Sequence, residues 1–299
     1  MRAAAIVRPG SVSKYVARFH AAADVEWTSL LEMADVVVIF GGDGTIHRNI
    51  STLVELEVPL LVVPCGSGND FARALSLRSV RDSLDAWRAY AAGGSNVRTI
   101  DLGIIRWCET RPAQGQPTEA PPSVPREHYF CCVAGVGLDS EIARRANSLP
   151  RWVRSHGGYG LCAPPEFVRF VPFPMKISFD GVESTARPTT LAAVANSPAY
   201  GGGMKIAPYA KLDDGKLDVC VVRAMDTFKL FCLFPTVYFG RHLDLDEVEY
   251  SQTPAVRIET EHPLDVYADG EYVCQTPVEF SVARNALQVI VPDSAMCCG

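Results

Sequence analysis

Apolar residues in the first hundred positions fall into short unbroken runs: Ala3–Val7, Val36–Phe40 and Leu60–Val63. A run without alternation is apolar on both faces, as in a parallel sheet covered by helices. Between the runs the spacing becomes helical. Tyr15, Val16 and Phe19 predict a helix over Ser13–Ala23, Ile46–Leu56 predicts a second, and a Ser79-x-x-Asp82 cap opens a third that Gly93-Gly94 stops. Only Trp27–Ala34 separates the first helix from the Val36 strand, and a further strand is expected over Val97–Trp107. This is an α/β order. The pattern then changes. Short strands are expected over Tyr129–Val133, Met175–Phe179, Leu191–Ala195, Leu217–Val222, Ala255–Glu259, Leu264–Tyr267, Val278–Val282 and Leu287–Val291, with turns such as Asp180-Gly181 and Asp214-Gly215. Eight or so strands with only two helical candidates imply an antiparallel sandwich or barrel-like unit.

Glycine sharpens the picture at two strand ends. Val36–Phe40 runs into Gly41-Gly42-Asp43-Gly44-Thr45, and Leu60–Val63 leads through Pro64 to Cys65-Gly66-Ser67-Gly68-Asn69-Asp70. Both loops lie at the carboxyl edge of a parallel sheet, where open α/β sheets bind ligands. Backbone N–H groups in such turns make a concave anion site, and phosphate is its usual occupant. Asp43 and Asp70 add hard oxygen ligands suited to Mg²⁺ or its water shell. The chain has no Gly-x-x-x-x-Gly-Lys-Ser/Thr, so it is not a P-loop protein. Asp70 could equally cap the helix expected near Phe71, and the two roles are compatible.

Composition narrows the partners. With 299 residues, 48% hydrophobic and 21% charged, the chain is globular and long enough for two domains. A net charge of −6 argues against a nucleic-acid partner. The ten scattered cysteines form no zinc pattern and imply a reducing, cytoplasmic setting. No secretory leader is apparent, and the longest apolar stretch outside the sheet, Leu230–Gly240, is too short to span a bilayer. Residues 109–127 hold Pro112, Pro117, Pro121, Pro122 and Pro125 and read as a loop or linker. Between Arg144 and Lys176, six basic residues face one acid, Glu166, interleaved with Leu149, Trp152, Phe167, Phe170 and Phe173. Such a stretch suits either an anionic membrane interface or a packed connector with solvated arginines.

Six blocks occur in order: Gly41–Thr45, Gly66–Arg73, Gly135-Val136-Gly137-Leu138-Asp139, Tyr200–Met204, Leu212–Asp218 and Asp269-Gly270-Glu271. Together they resemble the diacylglycerol kinase catalytic-domain family, in particular its compact bacterial lipid kinases, over nearly the whole chain. The glycine-aspartate block alone is shared with NAD kinases and phosphofructokinases; the Gly-Asn-Asp-Phe-Ala-Arg and Leu-Asp-Asp-Gly-Lys-Leu-Asp blocks discriminate. The resemblance implies a Rossmann-like α/β nucleotide domain (1–108), a linker (109–127) and an all-β sandwich-like lipid-substrate domain (128–286), with 287–299 returning to the first domain. It implies ATP and Mg²⁺ as cofactors. Gly41, Gly42, Asp43, Gly44, Thr45, Ile46 and His47 would hold the ATP phosphates, and the second loop (Gly66, Ser67, Gly68, Asn69) and Thr28 would also contact the nucleotide. Asp43 and Asp70 would surround the transferred phosphate and its magnesium, and Glu271 would accept the proton of the lipid hydroxyl. The Lys211 and Lys216 carbonyls with the Asp214 carboxylate match a structural magnesium site.

From spacing alone, Asp269-Gly270 reads as a hairpin turn, Glu271 as a solvated strand residue, and His47, His128, His156 and His242 as structural or exposed. The expected activity is phosphorylation of a lipid hydroxyl, diacylglycerol foremost, at a membrane surface by a cytoplasmic, peripherally attached protein. A homodimer is left open. The rivals are an NAD kinase-like enzyme with a soluble acceptor and a retired kinase that binds nucleotide or lipid. Three departures from the family pattern stand out: Arg8 before Pro9, the short 24–35 segment, and Ala163-Pro164-Pro165 within an expected helix.

Overall fold

A computed structural model describes residues 1–7, 13–110, 123–149, 158–182 and 184–293. The first part contains β1 (Arg2–Val7), α1 (Ser13–His20), β2 (Glu26–Thr28), β3 (Val36–Gly41), α2 (Asp43–Leu56), β4 (Leu60–Pro64), α3 (Asp70–Ala74) and α4 (Val80–Ala91). Its strands run in the order β2-β1-β3-β4 and are parallel throughout, with Val38 level with Ala5 on one side and Leu61 on the other. Every residue of β3 is buried, as an unbroken apolar run between helical layers must be. The predicted capping box opens α4: Ser79 Oγ accepts from Asp82 N, and Asp82 Oδ2 accepts from Ser79 N. Trp87 then closes the core below α1, its Nε1 donating to Phe19 O at 3.2 Å.

The second part contains β5 (Val97–Thr110), β6 (Ser123–Phe130), β7 (Val133–Gly137), α5 (Leu138–Ser148), α6 (Gly158–Arg169), β8 (Phe173–Phe179), β9 (Arg187–Ala195), β10 (Leu217–Arg223), α7 (Thr227–Val237), β11 (Val248–Thr253), β12 (Ala255–Thr260), β13 (Asp265–Ala268), β14 (Glu271–Gln275) and β15 (Val278–Ile290). Strand pairing within it is antiparallel. The result is a sandwich-like β domain around Phe130, Val136, Ile177, Val194, Val219 and Phe280. Strand β15 spans both parts. It pairs with β12 near its start and with β5 from Glu279 to Ile290, and Val289 lies parallel to Leu60 of β4.

Several expectations are corrected. Helix α2 starts at Asp43 rather than Ile46, because Gly42, extended at φ −118° and ψ −171°, serves as its N-cap. Helix α1 ends at His20, where Ala22 N turns back to Phe19 O. The strand expected over Tyr129–Val133 is broken at Cys131-Cys132, whose N–H groups go to the Asp269 carboxylate instead of a neighbouring strand. The edges of the proline-rich stretch belong to β5 and β6, which pair as far as Thr110 and Ser123. Helix α6 carries Pro164 and Pro165 within it, held by Ala163 and Phe167, which are buried against α5 and α7. Strand β11 and helix α7 are elements the patterning does not predict, and residues 24–35 carry β2 and one 3₁₀ turn, Leu31–Met33, with no longer helix. Arg8, residues 111–122, the Arg151, Trp152 and Arg154 part of the basic stretch, and Cys297-Cys298 lie outside the described residues.

Candidate active site

The two glycine loops meet at the carboxyl ends of β3 and β4. They touch backbone to backbone: a Cβ on Gly42 would sit 2.7 Å from Gly66 Cα, and one on Gly66 would sit 2.5 Å from Gly42 Cα. Only glycine at both positions permits this approach. Asn69, in the left-handed region at φ 56°, ties the second loop to itself, accepting from Gly66 N at 2.8 Å and donating to Gly66 O at 2.9 Å. Thr45 N and Ile46 N already bond to Gly42 O. The N–H groups of Asp43 and Gly44 therefore form the open first turn of α2, where anions are favoured. The Ile46 side chain is in the core, and Ser67 is exposed on the second loop. Thr28 ends β2 level with Val37, about 13 Å of strand rise short of Gly41, and its hydroxyl accepts from Leu30 N at 3.1 Å.

Carboxylates converge behind these loops. Asp43, from the first turn of α2, accepts from Asp70 N and Phe71 N, both at 3.1 Å, and so also caps α3. Asp70 Oδ2 accepts from Gly202 N at 2.8 Å, and its Oδ1 pairs with Arg73 at 2.9 Å. Gly68 leaves room for this cluster, since a Cβ there would lie 2.7 Å from Asp43 Oδ2. Burial and then the nearby Asp70 charge push the Asp43 pKa up to about 6, while burial raises that of Asp70 against the lowering effect of the Gly202 N–H and Arg73. Asp139, buried and accepting from Tyr200 Oη at 2.5 Å, is raised to about 6 by burial. Gly135 is what admits it, because a Cβ there would overlap the Asp139 carboxylate at 1.9 Å.

The Asp269-Gly270 turn reaches the same place from the β domain. Both residues have positive φ, 51° and 83°, as a tight hairpin between β13 and β14 requires. The Asp269 carboxylate bonds Cys131 N and Cys132 N, each at 2.8 Å, which anchors the turn. Glu271 follows at the start of β14. Its Oε1 lies 3.6 Å from Arg48 Nη1 and 2.6 Å from where a Gly44 Cβ would be, so this carboxylate stands over the first turn of α2.

Two histidines that sequence reasoning left unconnected meet here. His47 Nε2 and His128 Nε2 are 3.0 Å apart, so one ring donates and the other accepts. His47 Nδ1 is buried and 3.7 Å from Asp269 Oδ2, an electrostatic contact beyond hydrogen-bond range. Burial, and then His47, lower the His128 pKa to about 4. No spacing signal links positions 81 residues apart. Asp139, Tyr200 and Asp269 sit within the sequence blocks singled out above, but not as members of the acidic site.

The expected magnesium ligands Lys211, Asp214 and Lys216 occupy a separate turn. Asp214 Oδ1 accepts from Lys216 N at 3.1 Å, and Gly215 N donates to the buried Asp101 carboxylate at 2.7 Å. Asp101 also accepts from Asn285 N at 2.8 Å, and the Arg284 guanidinium stands beside Gly215. Among the described residues no three His, Cys, Asp or Glu side chains form a ready metal cage. Mg²⁺ does not demand one, being held typically by one or two carboxylates together with substrate phosphates. The eight described cysteines are free, and no described helix is long and apolar enough to cross a membrane.

Residues 9–105 match the model of the diacylglycerol kinase catalytic domain, and residues 132–291 match that of the YegS C-terminal NAD kinase beta sandwich-like domain. The chain is 33% identical over 264 residues to a diacylglycerol kinase of Mycobacterium tuberculosis (strain ATCC 25618 / H37Rv), covering 86% of this chain and 77% of that protein. It is 26% identical over 260 residues to a diacylglycerol kinase of Bacillus subtilis (strain 168), covering 86% and 78%. A crystal structure of a diacylglycerol kinase from Bacillus anthracis str. Sterne shares the fold, with a TM-score of 0.65 at 21% identity over 98% of this chain and 97% of that one. The α/β layer with its paired glycine loops and the β sandwich behind it are thus the two halves of one known enzyme architecture, and the chain belongs to the bacterial diacylglycerol/lipid kinase family, whose kinase chemistry implies the use of ATP.

Proposed function

We propose that the protein transfers the γ-phosphate of ATP to the free hydroxyl of a membrane lipid, with diacylglycerol as the acceptor and phosphatidic acid as the product. The observation that carries this reading is the position of Glu271 over Gly44. A carboxylate from the β domain stands beside the open first turn of α2, with Asp43 and Asp70 behind it. Phosphoryl transfer needs the phosphates held in line, their charge neutralised, and a carboxylate near the attacking oxygen.

Each need has a candidate in this chain. The Asp43 and Gly44 N–H groups and the Gly66–Asn69 loop hold the phosphates, the bare backbones of Gly42 and Gly66 allowing close approach. Asp43 and Asp70, two buried acids whose ionised forms repel, suit a divalent cation. Bound there, Mg²⁺ would neutralise phosphate charge. Glu271 accepts the lipid hydroxyl proton, with the Arg48 guanidinium 3.6 Å from its Oε1. The Asp269 turn positions Glu271 through its bonds to Cys131 N and Cys132 N. The Lys211 and Lys216 carbonyls with Asp214 are the proposed structural cation site, in the turn against which the Arg284 side chain of β15 stands. Thr28 and Ser67 are the proposed outer contacts of the nucleotide. Because the acceptor is a lipid, the protein works at a membrane surface as a peripheral protein.

The test supplies purified protein with labelled ATP and Mg²⁺, and either total lipid extract or NAD. Labelled phosphatidic acid is expected. Labelled NADP with no lipid product would overturn the assignment. Glu271→Gln is expected to lower turnover about 10²–10⁴-fold with unchanged melting temperature; near-normal turnover would remove Glu271 from the mechanism.

A further inference from the structure

Helix α7 is apolar on both of its faces. Leu230, Leu233 and Val237 are buried beneath it, as in any amphipathic helix packed on a core. The opposite face, expected to be polar, instead presents Phe228, Phe231, Cys232 and Pro235 and continues into Tyr238 and Phe239. Phe228 and Phe239 are each 76% exposed, Phe231 41% and Tyr238 37%. A single exposed phenylalanine is unremarkable, but a contiguous aromatic stripe along one face marks a contact surface.

The charges around the stripe suggest what covers it. From Thr227 to Leu243 the sequence has no acidic residue, while it carries Lys229 and Arg241. Lys205, whose N–H bonds Val237 O, and Arg169, at the end of α6, are exposed beside the two ends of the stripe. Of the nearby acids, Asp226 caps the helix, Glu247 pairs with Lys229 and Asp246 also lies near Lys229, so the basic flank rests on Arg241, Lys205 and Arg169. Aromatic rings flanked by arginine and lysine match the boundary between anionic headgroups and acyl chains.

The stripe also leads to the site. At one end Tyr238 is close enough to Asp70 for that carboxylate to raise its pKa, second to burial. At the other, Phe231 packs edge-on against Phe167 of α6, with ring centroids 5.2 Å apart. Beyond Phe167 the exposed Val171 and Phe173 line a cavity of about 440 Å³ whose wall includes Gly137 and Ser140, on either side of Asp139 and its neighbour Leu138.

We infer that the Phe228–Phe239 face of α7 is the surface by which the protein docks on an anionic lipid bilayer, setting the acceptor lipid beside the cleft. The inference rests on the lipid-kinase reading for its purpose, though not for the surface itself. Compare wild type with a Phe228→Ser, Phe231→Ser, Phe239→Ser variant on vesicles of phosphatidylglycerol and phosphatidylcholine, with and without diacylglycerol. Also measure turnover of monomeric dihexanoylglycerol.

The variant should keep its melting temperature and its turnover of dihexanoylglycerol within twofold. It should lose about tenfold or more in vesicle binding and in turnover of bilayer diacylglycerol. Arg241→Ala alone should weaken vesicle binding about fivefold. Vesicle binding by the triple variant equal to wild type would overturn the inference. So would a wild-type dimer by light scattering that becomes a monomer in the variant, with no vesicle binding by either, since a second copy would then cover the face. If vesicle binding depends on the stripe but neither protein phosphorylates any lipid, the docking surface stands and the kinase reading fails.

Discussion

Replacing Gly42 by alanine isolates how much the contact between the two glycine loops contributes to turnover. The backbone at Gly42, φ −118° and ψ −171°, is extended and open to any residue, so alanine brings no conformational strain. The whole effect is steric. The new Cβ would stand 2.7 Å from Gly66 Cα, where ordinary carbon contacts are about 3.5–4.0 Å, so the loops must part by about 1 Å. Overpacking of this kind costs about 1–3 kcal/mol of stability. Because both loops are proposed to hold one nucleotide, a 1 Å displacement is expected to cost about 10²-fold in turnover.

The assay pairs kcat on diacylglycerol with thermal unfolding. Gly93→Ala serves as the control. Gly93 has φ +87° with open space around its Cβ position, so alanine there costs about 1 kcal/mol of stability and leaves kcat unchanged. Wild-type kcat in Gly42→Ala with a lowered melting temperature would refute the claim that loop contact governs turnover.

Two further outcomes follow from buried carboxylates. Asp101→Ala leaves the N–H groups of Gly215 and Asn285 without their acceptor and should destabilise the protein by about 2–5 kcal/mol, measured by denaturant unfolding; a loss under 1 kcal/mol would contradict the bonding described. Asp43 ionises near 6 in the folded protein against 3.8 as a free side chain, so the unfolded state releases this proton first. Its contribution to stability is therefore present below pH 3.8 and lost as pH rises to about 6, about 3 kcal/mol in all. Without ligands, Asp43→Asn should flatten the pH dependence of stability across that window, and an unchanged profile would assign the dependence to other groups.

The parts of the fold that sequence made legible are those determined by near neighbours. Unbroken apolar runs gave β3 and β4 because burial on both faces needs no distant information, and the Ser79–Asp82 box marked the start of α4. The glycine loops and Asp43 were visible for the same reason. What was hidden depends on long-range closure. Apolar patterning through Tyr129–Val133 argued for one strand, and only Asp269, more than 130 residues away, explains why the chain turns there. The His47–His128 contact has the same origin. Helix α7 escaped notice because an element apolar all round has no periodicity, and Pro235 within it suggested a break. Spacing alone makes Glu271 an ordinary strand residue; only the family resemblance singles it out, and the hairpin carries it over Gly44.

Strand β15 has a consequence for the life of the chain on the ribosome. It supplies the partner of Leu60 at the open edge of β4 and of β5 from Arg106 back to Val97, yet its residues are made some two hundred positions after β4. Until they emerge, Leu60 at the edge of β4 and the long edge of β5 lack their partner, a template for pairing with other chains. Translation that stalls after the first hundred residues would release a fragment prone to aggregation, not a small stable nucleotide-binding protein. Proofreading of this protein by the cell would therefore fall on the interval before β15 is made.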